Sequence, residues 1–213
     1  MRAFGRVAMW ATISIVAVVI LFRLTAIRWW KVPEDDPYLA ASVAPALRAG
    51  DWVLLWRLTP PSLGSLALCP EPKHSDRVVI GRLVGDEGQR VKVSGTSIEV
   101  AGKRLASEGS CRQDRFTVKP PKGGVEIELR CSTEIVSNWV HERGEAEAIA
   151  ELPDFEVEVH AGEVALVSDN RRFPYDSRDF GLVDRSTCKE TVFFRLVGQE
   201  GFSHSPTRFT YIR

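Results

Sequence analysis

The sequence predicts a mainly β domain built of antiparallel sheets and carried on one N-terminal transmembrane helix. An apolar run opens the chain, short apolar or alternating runs cut by Gly, Pro and Asp follow it, and helical periodicity is nearly absent beyond Lys31. The 213 residues, 44% hydrophobic and 26% charged, suit one domain of ordinary size plus an anchor. The 28 basic and 28 acidic residues cancel, so no global field recruits nucleic acid, and a nucleic-acid partner is excluded.

The anchor comes first. Sixteen uncharged residues run from Val7 to Phe22, followed by Arg23 and a further apolar LTAI before Arg28. A span takes roughly 17 to 25 residues, which places it at Val7–Ile27 with Arg23 snorkelling to the headgroups. Trp29 and Trp30 would then occupy the interfacial belt. The rival reading is a cleaved signal peptide, whose apolar region is about 7 to 15 residues before an A-x-A-like site; no such site follows directly. Residues 1–31 are therefore read as the anchor and 32–213 as one globular unit behind a short linker near Val32–Pro37. Arg2 and Arg6 precede the span while Arg23, Arg28 and Lys31 follow it, so charge alone mildly opposes export of the C-terminal part.

Strands are expected at Trp52–Trp56, Leu66–Cys69, Val78–Val84, Val91–Val93, Ile98–Val100, Val125–Leu129, Phe155–Val159, Val164–Val167 and Thr191–Leu196. Residues 134–151, EIVSNWVHERGEAEAIAE, have helix-former composition interrupted at Gly144 and read as helix or charged loop. No internal repeat or low-complexity tract is present.

Cys69, Cys111, Cys131 and Cys188 lack the paired C-x-x-C spacing of a zinc site, and their even number suits an oxidising compartment. Neither a metal nor a cofactor is expected. Three pairings are open. Cys111 and Cys131 bracket RFTVKPPKGGVEIELR, a hairpin with a PPKGG turn, and are the favoured pair, leaving Cys69 with Cys188. Four free buried thiols are the alternative.

Two segments carry chemistry. Ser42 opens SVAPALRAGD, about ten residues beyond the anchor, where a serine would meet a substrate held in the membrane. A serine hydroxyl is a weak nucleophile until a neighbouring base takes its proton, as a lysine of depressed pKa can. A serine before Ala-Pro is by itself more often a turn residue. The second segment, Ser168 to Gly181, is a dense polar turn, SDNRRFPYDSRDFG, that packing alone does not demand.

Together these segments resemble signature boxes of bacterial signal peptidase I. Ser42, Pro45, Leu47, Gly50 and Asp51 match the nucleophile box, Ser-Met-x-Pro-Thr-Leu-x-x-Gly-Asp. Gly81-Arg82-Leu83-Val84-Gly85-Asp86-Glu87-Gly88 is similar to the box that opens on the family's general-base lysine, and SIEVAGKRL resembles the hairpin after it. Asp169, Asn170, Arg171, Asp176, Ser177, Arg178 and Gly181 stand in place in the third box. The boxes cover most of residues 37 to 196 in family order and leave an insertion near 106–150 unmatched.

The resemblance implies a signal-peptidase-like β domain on the outer face of a bacterial inner membrane, held by a single-pass helix in the bilayer. Its partners would be exported preproteins or their signal peptides. Ser42 would be the nucleophile and its own N–H the oxyanion donor, while Asp169, Asn170, Arg171, Asp176, Ser177 and Arg178 would order the third-box loop. Gly81, however, takes the place of the family lysine and cannot accept a proton. Lys73 and His74 are the only lysine or histidine between Lys31 and Lys92. His74 is the better substitute base, because relatives of the endoplasmic reticulum replace the lysine by histidine and imidazole titrates near neutrality. The family serine that orients the lysine aligns with Pro174, and a hydroxyl that assists the oxyanion in some members aligns with Ala40; neither can donate. Two functions follow: a serine endopeptidase that removes signal peptides, or a family member without turnover that binds peptides or a membrane partner.

Overall fold

A computed structural model describes residues 2–107, 111–145 and 154–212. Helix α1 (Arg2–Thr25) runs 24 residues, about 36 Å at 1.5 Å per residue, and exposes apolar side chains from Met9 to Leu24. Among the described residues, no helix is long and apolar enough to cross a membrane. The helix ends at Thr25, two residues short of the expected Ile27, because Ile27–Lys31 forms strand β1 and pairs antiparallel with β2 (Trp52–Trp56). The β-branched and aromatic residues of IRWWK favour a strand once a sheet edge is offered. Trp30 consequently packs on the domain core and leaves the expected interfacial pair; Trp29 stays exposed beneath the Arg23 guanidinium, 4.7 Å from its ring centre. The expected linker is likewise part of the fold at its start, since Val32 is buried and its N–H donates to the Asp51 carbonyl.

The main sheet adds β3 (Leu66–Pro70), β4 (Val78–Gly85), β12 (Glu163–Val167), β13 (Val183–Asp184) and β14 (Glu190–Val197) in the order β1-β2-β14-β3-β4-β12-β13, with β15 (Thr210–Tyr211) pairing on β14. Every one of these pairs is antiparallel. Side chains alternate across the central strands and feed two cores. Leu66, Leu68 and Ile80 pack with Leu39, Val43 and Leu47, whereas Ala67, Cys69, Val79 and Leu83 pack with Leu166, Phe180 and Cys188. Strands β5 (Arg90–Ser94), β6 (Ser97–Val100), β7 (Lys103–Arg104) and β11 (Phe155–Glu158) form a second sheet.

The third sheet holds β8 (Arg115–Val118), β9 (Ile127–Val136) and β10 (Trp139–Glu145) in the order β10-β9-β8. It replaces the helix or charged loop expected at 134–151; residues 146–151 lie outside the described residues. The physical reason is an inverted pattern. Strand β10 turns His141 and Arg143 inward and leaves Trp139 and Val140 exposed, so an apolar-in alternation is absent from its sequence. All four cysteines are bonded, Cys111 to Cys131 and Cys69 to Cys188, with Cα separations of 6.0 and 4.5 Å.

Candidate active site

Ser42 ends a short helix, α2 (Pro37–Ser42). Asp36 caps it, its carboxylate accepting from the Tyr38 and Leu39 N–H groups, and Pro37 supplies a preset φ at the first helical position. Arg77 pins the cap from the β3–β4 loop, 3.2 Å from the Asp36 carboxylate. Ser42 is 1% exposed, and its hydroxyl donates to the Leu39 carbonyl at 3.0 Å, an oxygen that also accepts the Val43 N–H. Downstream, the Asp51 carboxylate accepts the Arg48 and Gln199 N–H groups and faces Arg195 at 3.3 Å. Burial raises the Asp51 pKa against the pull of Arg195.

The third-box segment reaches this turn through Asn170. Its side-chain amide donates to the Ala41 carbonyl at 2.8 Å and its backbone N–H to the Ser42 carbonyl at 3.0 Å. The Asn170 Oδ1 closes the loop by accepting from the Arg172 and Phe173 N–H groups. Thus two segments more than a hundred residues apart in sequence share one buried seam.

Helix α3 (Ser177–Phe180) follows and is organised by Asp176. One carboxylate oxygen accepts the Ser168 N–H and an Arg178 guanidinium nitrogen, both at 2.7 Å; the other accepts the Arg178 N–H and Nε. The Asp179 side chain returns a bond to the Asp176 N–H, completing a capping box. Burial would raise the Asp176 pKa, but the bonds and charge of Arg178 outweigh it and hold the carboxyl below its usual range. Ser177 accepts the Leu166 N–H, and Arg171 is buried against Glu134 at 2.6 Å.

Gly81 lies in β4 between residues of opposite faces. It alternates with Val79 and Leu83, and a Cβ there would stand 2.9 Å from the Leu166 Cβ, whereas Ile80 packs with Leu39 and Val43 of the Ser42 turn. A side chain at position 81 would start on the face of β4 turned away from that turn, in a space already filled. Arg82 beside it makes a buried bidentate pair with Asp169, at 3.1 and 2.7 Å, and bonds the Gly64 carbonyl.

His74 is exposed at the tip of the β3–β4 loop, where its N–H donates to Glu71 and its carbonyl accepts from Arg77. The Lys73 ammonium is engaged by the Asp179 carbonyl at 2.6 Å. Neither side chain bonds Ser42 among the described residues. The His/Cys/Asp/Glu group of metal-ligand spacing found among the described residues, Cys111, Cys131 and Glu142, has both sulfurs in a disulfide and offers no thiolate.

Sequence reasoning missed one histidine and its neighbours. His141, from β10, is 2% exposed with its Nε2 3.6 Å from Glu134 and 3.7 Å from Asp169. The signal that could have found it is a His-x-Arg pair facing Glu134 across a hairpin, against the matched Asp169 and Arg171. A cleft of about 460 Å³ runs beside α2, lined by Pro37, Ala40, Ala41 and Ala44 on one side and Thr117 to Pro121 on the other.

Comparison with known proteins assigns the chain to a family. The family model for signal peptidase, peptidase S26, matches residues 6–197. The chain belongs to that family. Among solved structures it is similar to a signal peptidase I from Enterococcus faecalis, at 19% identity and a TM-score of 0.40, over 62% of this chain and 96% of that one. No curated protein matches it.

Proposed function

We propose that this chain acts on the signal peptides of exported preproteins as a membrane-anchored serine endopeptidase with Ser42 as nucleophile. The observation that supports it most is the Asn170 clamp, which joins the nucleophile box and the third box through the carbonyls of Ala41 and Ser42. In the reaction, the Ser42 Oγ adds to the scissile carbonyl carbon and loses its proton to an acceptor. The developing oxyanion meets the Ser42 N–H, and the protonated amine leaves before water releases the acyl group. The hydroxyl is held by Leu39 at rest, so an acceptor has to displace that bond. The alanine-lined cleft beside α2 fits an extended peptide with small side chains. The exposed apolar surface of α1 supports an anchor in a bacterial inner membrane, and the disulfides support an oxidising outer side for the β domain.

Gly81 favours a second reading, a member that binds peptides without turnover, because nothing at that position can accept the serine proton. Cleavage of a preprotein by the full-length protein in detergent separates the two. Cleavage that Ser42→Ala abolishes establishes the peptidase; peptide binding without cleavage, the same in wild type and Ser42→Ala, establishes the binder.

A further inference from the structure

The β8–β10 sheet covers the Ser42 turn. Phe116, Val118, Leu129 and Cys131 pack on Ala41 and Ala44, and the Cys111–Cys131 disulfide ties the chain before β8 to β9. At the far side of the same contact Gly144 bridges Asn170. Its N–H donates to the Asp169 carbonyl at 2.9 Å and its carbonyl accepts the Arg171 N–H at 2.9 Å. The outcome is a serine turn almost closed to solvent.

Beneath these contacts lies a buried cluster drawn from both partners. The body contributes Arg82 from β4 and Asp169 and Arg171 from the third box; the covering sheet contributes Glu134 from β9 and His141, Arg143 and Glu145 from β10. Arg82 pairs with Asp169, Arg171 with Glu134 at 2.6 Å, and Arg143 with Glu145 and, at 3.5 Å, with Glu134. Three guanidinium groups face three carboxylates, so the cluster is charge-balanced only while the imidazole between them is neutral. Neither His141 nitrogen has a hydrogen-bond partner among the described residues.

We propose that the β8–β10 sheet is an acid-released cover over the Ser42 turn, held closed by the neutral His141 at the joint. The proposal rests on the reading of Ser42 as the functional serine. Burial first, then Arg82, Arg171 and Arg143, push the His141 pKa well below its ordinary value, so the closed state excludes a proton that the open state accepts. The sign follows from linkage. Above an ordinary histidine pKa of about 6.5 both states are neutral and closure is undisturbed; as pH falls below it, the open state gains about tenfold per pH unit until the closed state also protonates.

Hydrogen exchange on the full-length protein, corrected for intrinsic rates, reads the joint independently of any cleavage. Between pH 7.5 and pH 5.0, protection at the Gly144 and Arg171 amides is expected to fall about 30-fold, while the β2–β14 amides keep theirs. His141→Gln and His141→Asn, neutral at every pH, should abolish the pH dependence. A wild type whose joint amides are pH-independent overturns the proposal, as does loss in step with β2–β14 or the same loss in a folded neutral variant. Because exchange reports closure alone, a protein that never cleaves can still carry the cover, and a protease can lack it.

Discussion

The Asp176 loop and the Ser42–Gly81 pair come from matched boxes of one family, and the structure treats them in opposite ways. The Asp176 carboxylate is saturated by four donors from Ser168 and Arg178, and its own N–H is bonded by Asp179. The Ser42 hydroxyl has one hydrogen bond among the described residues, to a backbone carbonyl, and Gly81 on β4 packs against Leu166. The contrast teaches that scaffold and chemistry are separable: the Asp176 loop is held by a dense set of bonds, while the Ser42 hydroxyl is held by a single backbone carbonyl. A buried, fully bonded carboxylate is costly to disturb, whereas a serine hydroxyl bonded to a carbonyl can lose its partner cheaply.

Breaking the stronger side should give the largest effect. Asp176→Ala leaves Arg178 buried without its partner and the Ser168 N–H without its acceptor, for an expected loss of about 3–5 kcal/mol, read as a lower midpoint in urea unfolding. An unfolding free energy within about 1 kcal/mol of wild type, at roughly unchanged slope, would show that this loop is not what holds α3.

Gly81→Lys tests the other side. With the Leu166 Cβ 2.9 Å from the new Cβ, overpacking should cost about 1–3 kcal/mol, and the ammonium starts on the wrong face of β4. The variant is expected to be less stable and to gain no cleavage. A gain of Ser42-dependent preprotein cleavage would mean that position 81 does reach the serine.

Acid should narrow the difference between wild type and Asp176→Ala. The folded pKa of Asp176 is depressed, so its stabilisation is complete above the unfolded value of about 3.8 and is lost as pH falls through the folded value. Unfolding midpoints of the two proteins should therefore converge below pH 4; a constant gap would place the stabilisation elsewhere.

Ser42→Ala should change stability least, by about 1 kcal/mol or less, because the Leu39 carbonyl keeps the Val43 N–H as donor. A thermal midpoint shift of several degrees, matched by no change in cleavage, would identify Ser42 as a purely structural hydroxyl.

Much of the fold is legible in the sequence. Runs of alternating apolar residues such as Trp52–Trp56 and Val164–Val167 lie within strands, and RFTVKPPKGGVEIELR spans β8, its turn and the start of β9. Strand β1 was hidden because IRWWK continues the apolar composition of the helix before it. Strand β10 was hidden because its inward positions are His141 and Arg143, and burial of charge follows from partners on β4 and the third box rather than from its own pattern. Motif spacing singled out the Ser42 turn and the Asp176 loop, and the structure joins the two segments through Asn170. The exposure of His74 and the closure of the turn by the β8–β10 sheet could not be read from that spacing.

By itself the sequence determined a β domain and the family, because strand alternation and motif spacing are properties of neighbours along the chain. Only the tertiary structure decided which face of β4 carries Gly81, that Asn170 clamps the Ser42 turn, and that three arginines, three carboxylates and one histidine converge beneath it. Those are contacts between segments far apart in sequence, and a buried charge reveals its partner only when the chain has brought the two together.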